Sequence, residues 1–424
     1  MTTDKSTAEF SFRSVAVVVF LPTLLFSIGE GALIPLIPVA ATNLGASLAI
    51  AGVISGMVMI GELVGDIPSG WLVSKIGERV AMIGASAISV LAVLGAVLAP
   101  NVWVLAAAIF VLGLSTAVFA LARHAFMASY VPIQYRARAL STLGGVFRAG
   151  LFIGPLIAAP VIHLTGGAQG AFWIMVVSCL AAVLILIFLP DPESVFSRAS
   201  HPQAAHSTHA AGTQSPGARS NGLFHTIWNS RGVLVRMGSG AALISAMRAT
   251  RTIILPLWAV SLGVSEVNTA LIIGIAGGVD FALFYASGQI MDRFGRMFSA
   301  IPSLIGLGLG MLLLAFTHDS PNAVGWFIAA AGLLAVANGI GSGILMTLGA
   351  DLAPVGSPAP FLGAWRFTGD LGAAGAPLLV GGLTAVLSVS FAAGLIGVVG
   401  ILGAIHLARI MPRYLQPRPG RRLP

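Results

Sequence analysis

Ten ionisable side chains interrupt stretches of chain that are otherwise apolar: Glu30, Glu62, Asp66, Asp280 and Asp370 against Arg123, Arg148, Arg248, Arg251 and Arg366. Their formal charges cancel. Arginine and carboxylate suit one another, because a planar fork of N–H donors meets two oxygens in parallel hydrogen bonds. A carboxylate beside an arginine can also take up a proton, which frees the base and changes the local charge. On that chemistry Glu30 is a proton carrier, a ligand-binding group or one half of a static ion pair. Glu62 and Asp280 are the next candidate proton carriers. His124 and His163 read as packing or interface residues. Trp258, Phe281, Phe284, Tyr285, Trp326 and Trp365 are candidate walls for an apolar cavity, although each alone reads as packing or an interface anchor.

The elements that must position these charges are apolar runs long enough to cross a hydrocarbon core of about 30 Å as helix. They fall near 14–41, 48–74, 80–99, 102–130, 140–164 and 170–190, then near 236–262, 267–291, 298–317, 323–351, 361–386 and 388–410. The expected fold is therefore an all-α polytopic membrane protein with twelve transmembrane helices. Of the 424 residues, 57% are apolar and 8% charged, whereas a soluble domain is about 25% charged. Facing all ten buried charges to lipid would cost on the order of 25–35 kcal/mol on insertion scales, so they must face one another or water. The first run is too long for a removed signal peptide and lacks a small-residue cleavage site. The net charge of +8 does not indicate nucleic acid, which calls for dense basic stripes. A lone Cys179 excludes a disulfide framework or a cysteine metal site.

Twelve spans put both termini on one side. That side holds 17 of the 22 bases, among them Lys5, Arg13, Lys75, Arg79, Arg136, Arg138, Arg231, Arg236, Arg293, Arg296, Arg409 and Arg413. The opposite loops hold no Lys or Arg, only Glu266, Asp319 and some His. The positive-inside rule then predicts cytoplasmic termini and a multi-pass protein of the plasma (inner) membrane.

The two sets of spans repeat. An offset of 218 places Leu44-Gly45-Ala46-Ser47 on Leu262-Gly263-Val264-Ser265, Glu62 on Asp280 and Gly77 on Gly295; an offset of 222 places Gly150 on Gly372 and Pro155 on Pro377. In this register Glu30 falls on Arg248, and Arg148 falls on Asp370. A six-span unit has been duplicated in parallel, giving bundles at 1–190 and 236–410. Residues 191–235 between them are rich in Ser, Gly, Pro, Ala and His and read as a flexible cytoplasmic linker, with an amphipathic end at Leu223–Val235. His201, His206 and His209 in that linker read as solvated residues rather than metal ligands. Residues 411–424 form a basic Pro/Arg tail suited to anionic headgroups.

Gly288-Gln289-Ile290-Met291-Asp292-Arg293-Phe294-Gly295-Arg296, between spans 8 and 9, resembles the G-x-x-x-D-[RK]-x-G-R loop of the major facilitator superfamily. The loop after span 2 keeps Gly70, Lys75 and Gly77, but has Ser74 in place of the usual Asp and Glu78 before Arg79. The glycines there allow a tight turn and close helix approach, and the charges can bridge to a neighbouring helix end. In the family this loop latches the outward-facing state, and Asp66 is a stand-in for the missing Asp. In span 5, Gly150-Leu151-Phe152-Ile153-Gly154-Pro155 is similar to the G-x-x-x-G-P motif of the proton-coupled exporters, with Ala158 and Ala159 where two further glycines are usual. Arg123-His124 matches the exporters' span-4 motif poorly.

The resemblance implies that spans 1, 4, 7 and 10 line a central cavity, with span 2 near span 11 and span 5 near span 8. Glu30 would then face Arg248 or Arg251, Asp66 would pair with Arg366, and Arg148 with Asp280. Such pairs are either static or a gate that breaks as the bundles move. The implied activity is secondary active transport without enzymatic chemistry, most simply proton-driven export of a small amphipathic compound. The alternative is transport of an organic anion or metabolite bound by Arg248, Arg251 and Arg123. No cofactor is implied beyond a coupling proton, and the implied partners are a small-molecule substrate and the bilayer, with the chain acting as a monomer. Gly306–Gly310 and Gly339–Gly343 lie within apolar spans and make no nucleotide loop, and no phosphate-binding or hydrolase signature occurs.

Overall fold

The computed structural model describes residues 16–131, 133–188, 230–354 and 358–414. Among these, twelve helices are long and apolar enough to cross a bilayer, and no strand occurs. The first six are α1 (Val18–Asn43), α2 (Leu48–Ile76), α3 (Glu78–Val97), α4 (Val102–Tyr130), α5 (Ile133–Thr165) and α6 (Gln169–Phe188). The second six are α7 (Arg231–Ser261), α8 (Glu266–Arg293), α9 (Met297–Thr317), α10 (Ala323–Leu352), α11 (Pro358–Val386) and α12 (Val389–Tyr414). Helices α5, α7 and α12 run several residues past the apolar runs that announced them. Hydropathy marks the hydrocarbon, whereas a helix continues into the interface as long as its sequence allows. Most of the linker (191–229), the last residues of the tail (415–424) and the N-terminal Lys5 and Arg13 lie outside the described residues. The Arg231–Val235 end of the expected amphipathic segment is the start of α7.

The duplication is visible in the backbone. Ser47 and Ser265, equivalent in the repeat, cap α2 and α8 by accepting hydrogen bonds from the N–H groups of Ile50 and Asn268 at 3.4 Å. Such a side-chain acceptor satisfies a donor that the helix start leaves free. Gly77 and Gly295 both turn the chain with positive φ, 82° and 99°, a conformation that only glycine adopts at little cost.

Two spans are interrupted. In α1 a 3₁₀ turn, Ile34–Leu36, separates Leu21–Leu33 from Ile37–Asn43, where Pro35 and Pro38 bring no N–H to the ladder. In α10, Ala323–Ile340 and Ile344–Leu352 are joined by Gly341-Ser342-Gly343, with Gly343 left-handed. The Gly339–Gly343 run is therefore a built break in a helix. Its freed carbonyls are met from neighbouring spans. Ser287 Oγ donates to the Ile340 and Ser342 carbonyls at 2.7 and 2.6 Å, Ser299 Oγ donates to Ile340 at 2.7 Å, and the Arg248 guanidinium donates to Gly341. Non-helical backbone survives at membrane depth only with such partners.

In the first bundle α1 packs on α5 and α6, and α2 on α4; in the second, α7 packs on α11 and α8 on α10. The bundles meet through α2 against α11 and α5 against α8, the arrangement the family resemblance implied. The base-poor face is where α1 ends and α2 and α7 meet their loops. Near it, the Ile37–Asn43 segment of α1 touches α7. A Cβ on Gly381 of α11 would there lie 3.0 Å from the Ala49 carbonyl oxygen of α2.

Candidate functional site: two charged chambers between the bundles

The ten buried charges do not form one neutral network. All but Arg248 line one of two cavities that lie against α1. The first, of about 150 Å³, is lined by Glu30, Glu62, Asp66, Arg123, Arg366 and Asp370, with Thr116 and Phe147. Glu30, 4% exposed, accepts a hydrogen bond at 3.0 Å from the Thr116 hydroxyl. Arg123 on α4 attracts both Glu30 and Glu62, lies 4.7 Å from the Phe147 ring centroid, and leaves its buried Nε without a partner among the described residues. Arg366 reaches Asp66 across the bundle boundary at 3.2 Å and Asp370 on its own helix at 3.3 Å. Four carboxylates thus face two guanidiniums, and the chamber is acidic.

The second cavity, of about 160 Å³, lies between α1, α5, α7 and α8 and is lined by Arg148, Arg251, Asp280, Phe152, Phe281 and Pro155, among others. Asp280 Oδ2 takes a salt bridge from Arg251 at 3.1 Å and a hydrogen bond from Asn338 Nδ2 at 2.6 Å. Arg148 lies 4.3 Å from the Phe284 ring centroid and within electrostatic reach of Asp280, as Arg248 is from behind. Two guanidiniums and one carboxylate line this cavity, with Arg248 behind it, so this chamber is basic. Buried Arg248 Nε, Arg251 Nε, Asp280 Oδ1 and Asn338 Oδ1 have no hydrogen-bond partner among the described residues.

The structure keeps some of the expected juxtapositions and replaces others. Asp66 and Arg366 meet. Glu30 does not face Arg248 or Arg251 across the cavity; it looks into its own bundle, toward Thr116 and Arg123, while Arg248 is spent on the broken α10. Arg148 does not bond to Asp280; Arg251, one turn of α7 beyond Arg248, takes the Oδ2 of that carboxylate instead. Arg123 groups with the acids rather than with Arg248 and Arg251. Thr116 and Asn338 escaped notice in the sequence, although the offset of 222 relates them: each donates to the buried carboxylate of its own half. Trp258 is fully buried and packs edge-on to His318 at 5.1 Å, and Trp365 donates to the Leu345 carbonyl at 2.9 Å; neither lines these chambers.

The motif residues serve packing and helix ends. A Cβ on Gly150 would lie 2.5 Å from Ser27 Cβ and 2.9 Å from the Ile28 nitrogen, and one on Gly154 would meet the Ile28 carbonyl. These glycines let α5 lie directly on α1, with Pro155 next in line at the basic chamber. Gly288, by contrast, has open space around it, and a Cβ on Gly70 would only reach Leu121 Cδ2 at 3.9 Å, so close approach does not explain them. Arg79 Nε donates to the Leu186 carbonyl at 2.8 Å at the end of α6, and Lys75 stacks on Trp71. Arg296 pairs with Asp351 at 2.6 Å and, more loosely, with Asp292 at 4.0 Å. The Asp351 hydrogen bond raises the Arg296 pKa above its ordinary value. Arg293 lies over Phe294 at 5.3 Å.

Two six-helix bundles that enclose charged cavities define a multi-pass membrane transporter for small molecules. The chain belongs to the Major Facilitator Superfamily, whose profile matches residues 19–377, and as a member it works without a cofactor and is not an enzyme. It is 24% identical over 334 residues to a cis,cis-muconate transport protein of Acinetobacter baylyi, covering 78% of each chain. It is 26% identical over 180 residues to the galactose-proton symporter of Escherichia coli, covering 42% of this chain and 38% of that one. The crystal structure of a D-xylose-proton symporter superposes with a TM-score of 0.70 at 16% identity, over 97% of this chain and 99% of the other. None of these is a drug exporter, and the α5 glycines that pointed to that branch are accounted for by contact with α1.

Proposed function

We propose that this chain is a proton-coupled transporter of a small organic anion that works by alternating access, with its base-rich face in the cytoplasm. The observation that supports it above all is the basic chamber: Arg148 from one bundle and Arg251 from the other border a cavity whose single carboxylate, Asp280, is already shared. An anion entering there finds guanidinium donors from both halves, so its binding depends on how the halves sit. The acidic chamber is the proton port, where protonation of Glu30 or Glu62 changes the charge balance around Arg123 and Arg366. Asp66–Arg366 is the bridge that forms and breaks with bundle movement. The muconate-transporting and proton-symporting relatives agree with an anionic metabolite and a proton. The charge bias of the loops supports the orientation.

The test uses purified protein in proteoliposomes with radiolabelled organic acids and an imposed pH gradient. Acid uptake should follow the gradient, fall at least tenfold in Glu30→Gln per pH unit imposed, and vanish in Arg251→Ala. Unchanged accumulation in Glu30→Gln would remove that residue from coupling. Transport of neutral sugars with no response to carboxylates would overturn the reading.

A further inference from the structure

We infer that the substrate is a flat aromatic monocarboxylate whose carboxylate seats on Arg148 and whose ring lies against Phe152 and Phe281. The inference rests on the organic-anion reading above and specifies the anion's charge, shape and size.

The charge follows from which groups in the basic chamber already have partners. The charged groups of its lining are Arg148, Arg251 and Asp280. Arg251 and Asp280 satisfy one another at 3.1 Å. Arg148 forms no ion pair among the described residues: its guanidinium has the Phe284 ring at 4.3 Å and, at longer range, Asp280. An arginine in a protein is always charged, and an enclosed charge without a counter-ion is costly. One carboxylate on Arg148 neutralises the lining. A second carboxylate on the same ligand would sit among apolar walls with no unpaired cation left to meet it.

The walls specify the rest of the ligand. They include Ile34, Pro35, Leu151, Pro155, Leu255 and Ile273. Thr252 also lines the cavity, but its hydroxyl donates to the Arg248 carbonyl at 3.2 Å. A body rich in hydroxyls would leave them unpaired here, at a cost for each. The volume of about 160 Å³ is close to the roughly 150 Å³ apolar cavity that holds a benzene-sized molecule. Phe152 of α5 and Phe281 of α8 lie nearly parallel, with centroids 6.3 Å apart and planes 12° apart. The Phe152 ring is fitted to the opposite bundle: a Cβ on Gly278 of α8 would lie 2.7 Å from its Cε2 and 3.1 Å from its Cδ2, so the glycine leaves the ring its room. Two aromatic faces, one from each bundle, suit a flat π-system, which stacks at about 4.5–7 Å between centroids.

The test uses the full-length protein in nanodiscs, isothermal titration calorimetry and four probes. Benzoate is compared with benzamide, which has the shape without the charge, and with cyclohexanecarboxylate, which has the charge on a puckered ring. Benzene-1,4-dicarboxylate adds the second charge. Benzoate should bind roughly tenfold or more tightly than benzamide and than the diacid, and about three- to tenfold more tightly than cyclohexanecarboxylate. Arg148→Gln should abolish the advantage over benzamide, and Arg148→Lys, which keeps the charge, should restore part of it. Phe152→Leu should abolish the advantage over cyclohexanecarboxylate and keep that over benzamide, a split that misfolding would not produce. Cyclohexanecarboxylate bound as tightly as benzoate, or the diacid bound more tightly, would overturn the flat monocarboxylate while leaving the anion reading intact. Unchanged benzoate affinity in Arg148→Gln would overturn the seat. Failure of all three carboxylates to bind would overturn both readings.

Discussion

Gly56 of α2 sits against Pro377 of α11 on the base-poor half of the bundle boundary, so closely that an added Cβ would overlap the ring atoms Cβ and Cγ of the proline and lie 3.3 Å from its Cα. A proline ring is fixed to its own backbone and cannot rotate aside, and carbon atoms settle at about 3.5–4.0 Å. Gly56→Ala therefore forces α2 and α11 apart by roughly an ångström or more, in the direction that opens the base-poor face. Overpacking of this kind costs about 1–3 kcal/mol, which shifts a two-state equilibrium by about 5- to 150-fold toward the state that relieves it. The lone Cys179 is buried, so spin labels can be placed at Leu164→Cys on α5 and Leu387→Cys after α11, both exposed at the base-poor end. Gly56→Ala should lengthen the measured distance between them and raise the rate at which this face admits water-soluble thiol reagents. Unchanged distances together with an unchanged melting temperature would refute the claim that this contact closes the face.

Asp280→Asn leaves the Arg251 guanidinium enclosed without its carboxylate, a change that costs about 3–5 kcal/mol when one partner of a buried pair is lost; a large fall in melting temperature checks it. The double variant Asp280→Leu with Arg251→Met should recover most of that stability yet move no anion, which separates folding from transport. Ser287→Ala removes the donor shared by the Ile340 and Ser342 carbonyls, at about 1–3 kcal/mol. It should raise amide hydrogen exchange at the start of the second half of α10, while Ser299 continues to hold Ile340.

The spans and the meeting of α2 with α11 and α5 with α8 were legible for physical reasons. Run length is fixed by membrane thickness, capping serines recur at equivalent positions, and the family motifs bring their topology with them. The partnering of charges was not. Five acids and five bases admit many neutral pairings, and nothing in the spacing reveals that Arg248 is consumed by carbonyls of a broken helix. That break had a signal, three glycines and a serine within Gly339–Gly343, but an apolar span with glycines looks the same whether or not it unwinds. Once Arg248 is withdrawn, Glu30 has its nearest base in Arg123 and Arg251 is free for Asp280. A single unforeseen break in α10 thus propagates into two misassigned pairs.

The duplication explains why the charges separate by sign. The repeat places an acid opposite a base twice, Glu30 for Arg248 and Arg148 for Asp370, while Glu62 and Asp280 stay acidic and Thr116 and Asn338 stay hydrogen-bond donors. Taken alone, the first bundle's Glu30, Glu62, Asp66, Arg123 and Arg148 leave one negative charge, and the second bundle's Arg248, Arg251, Asp280, Arg366 and Asp370 leave one positive charge. The chambers sharpen this by exchange across the boundary: Arg148 leans into the basic chamber, and the internally neutral Arg366–Asp370 pair leans into the acidic one. Neither chamber belongs to one bundle. Any rotation of the halves changes the composition of both together, pulling Arg366 from Asp66 and Arg148 from Asp280's surroundings in one movement. On the proposed function, proton occupancy and anion occupancy would then be linked through the boundary itself, because each would be felt only in the arrangement where the borrowed charges are in place.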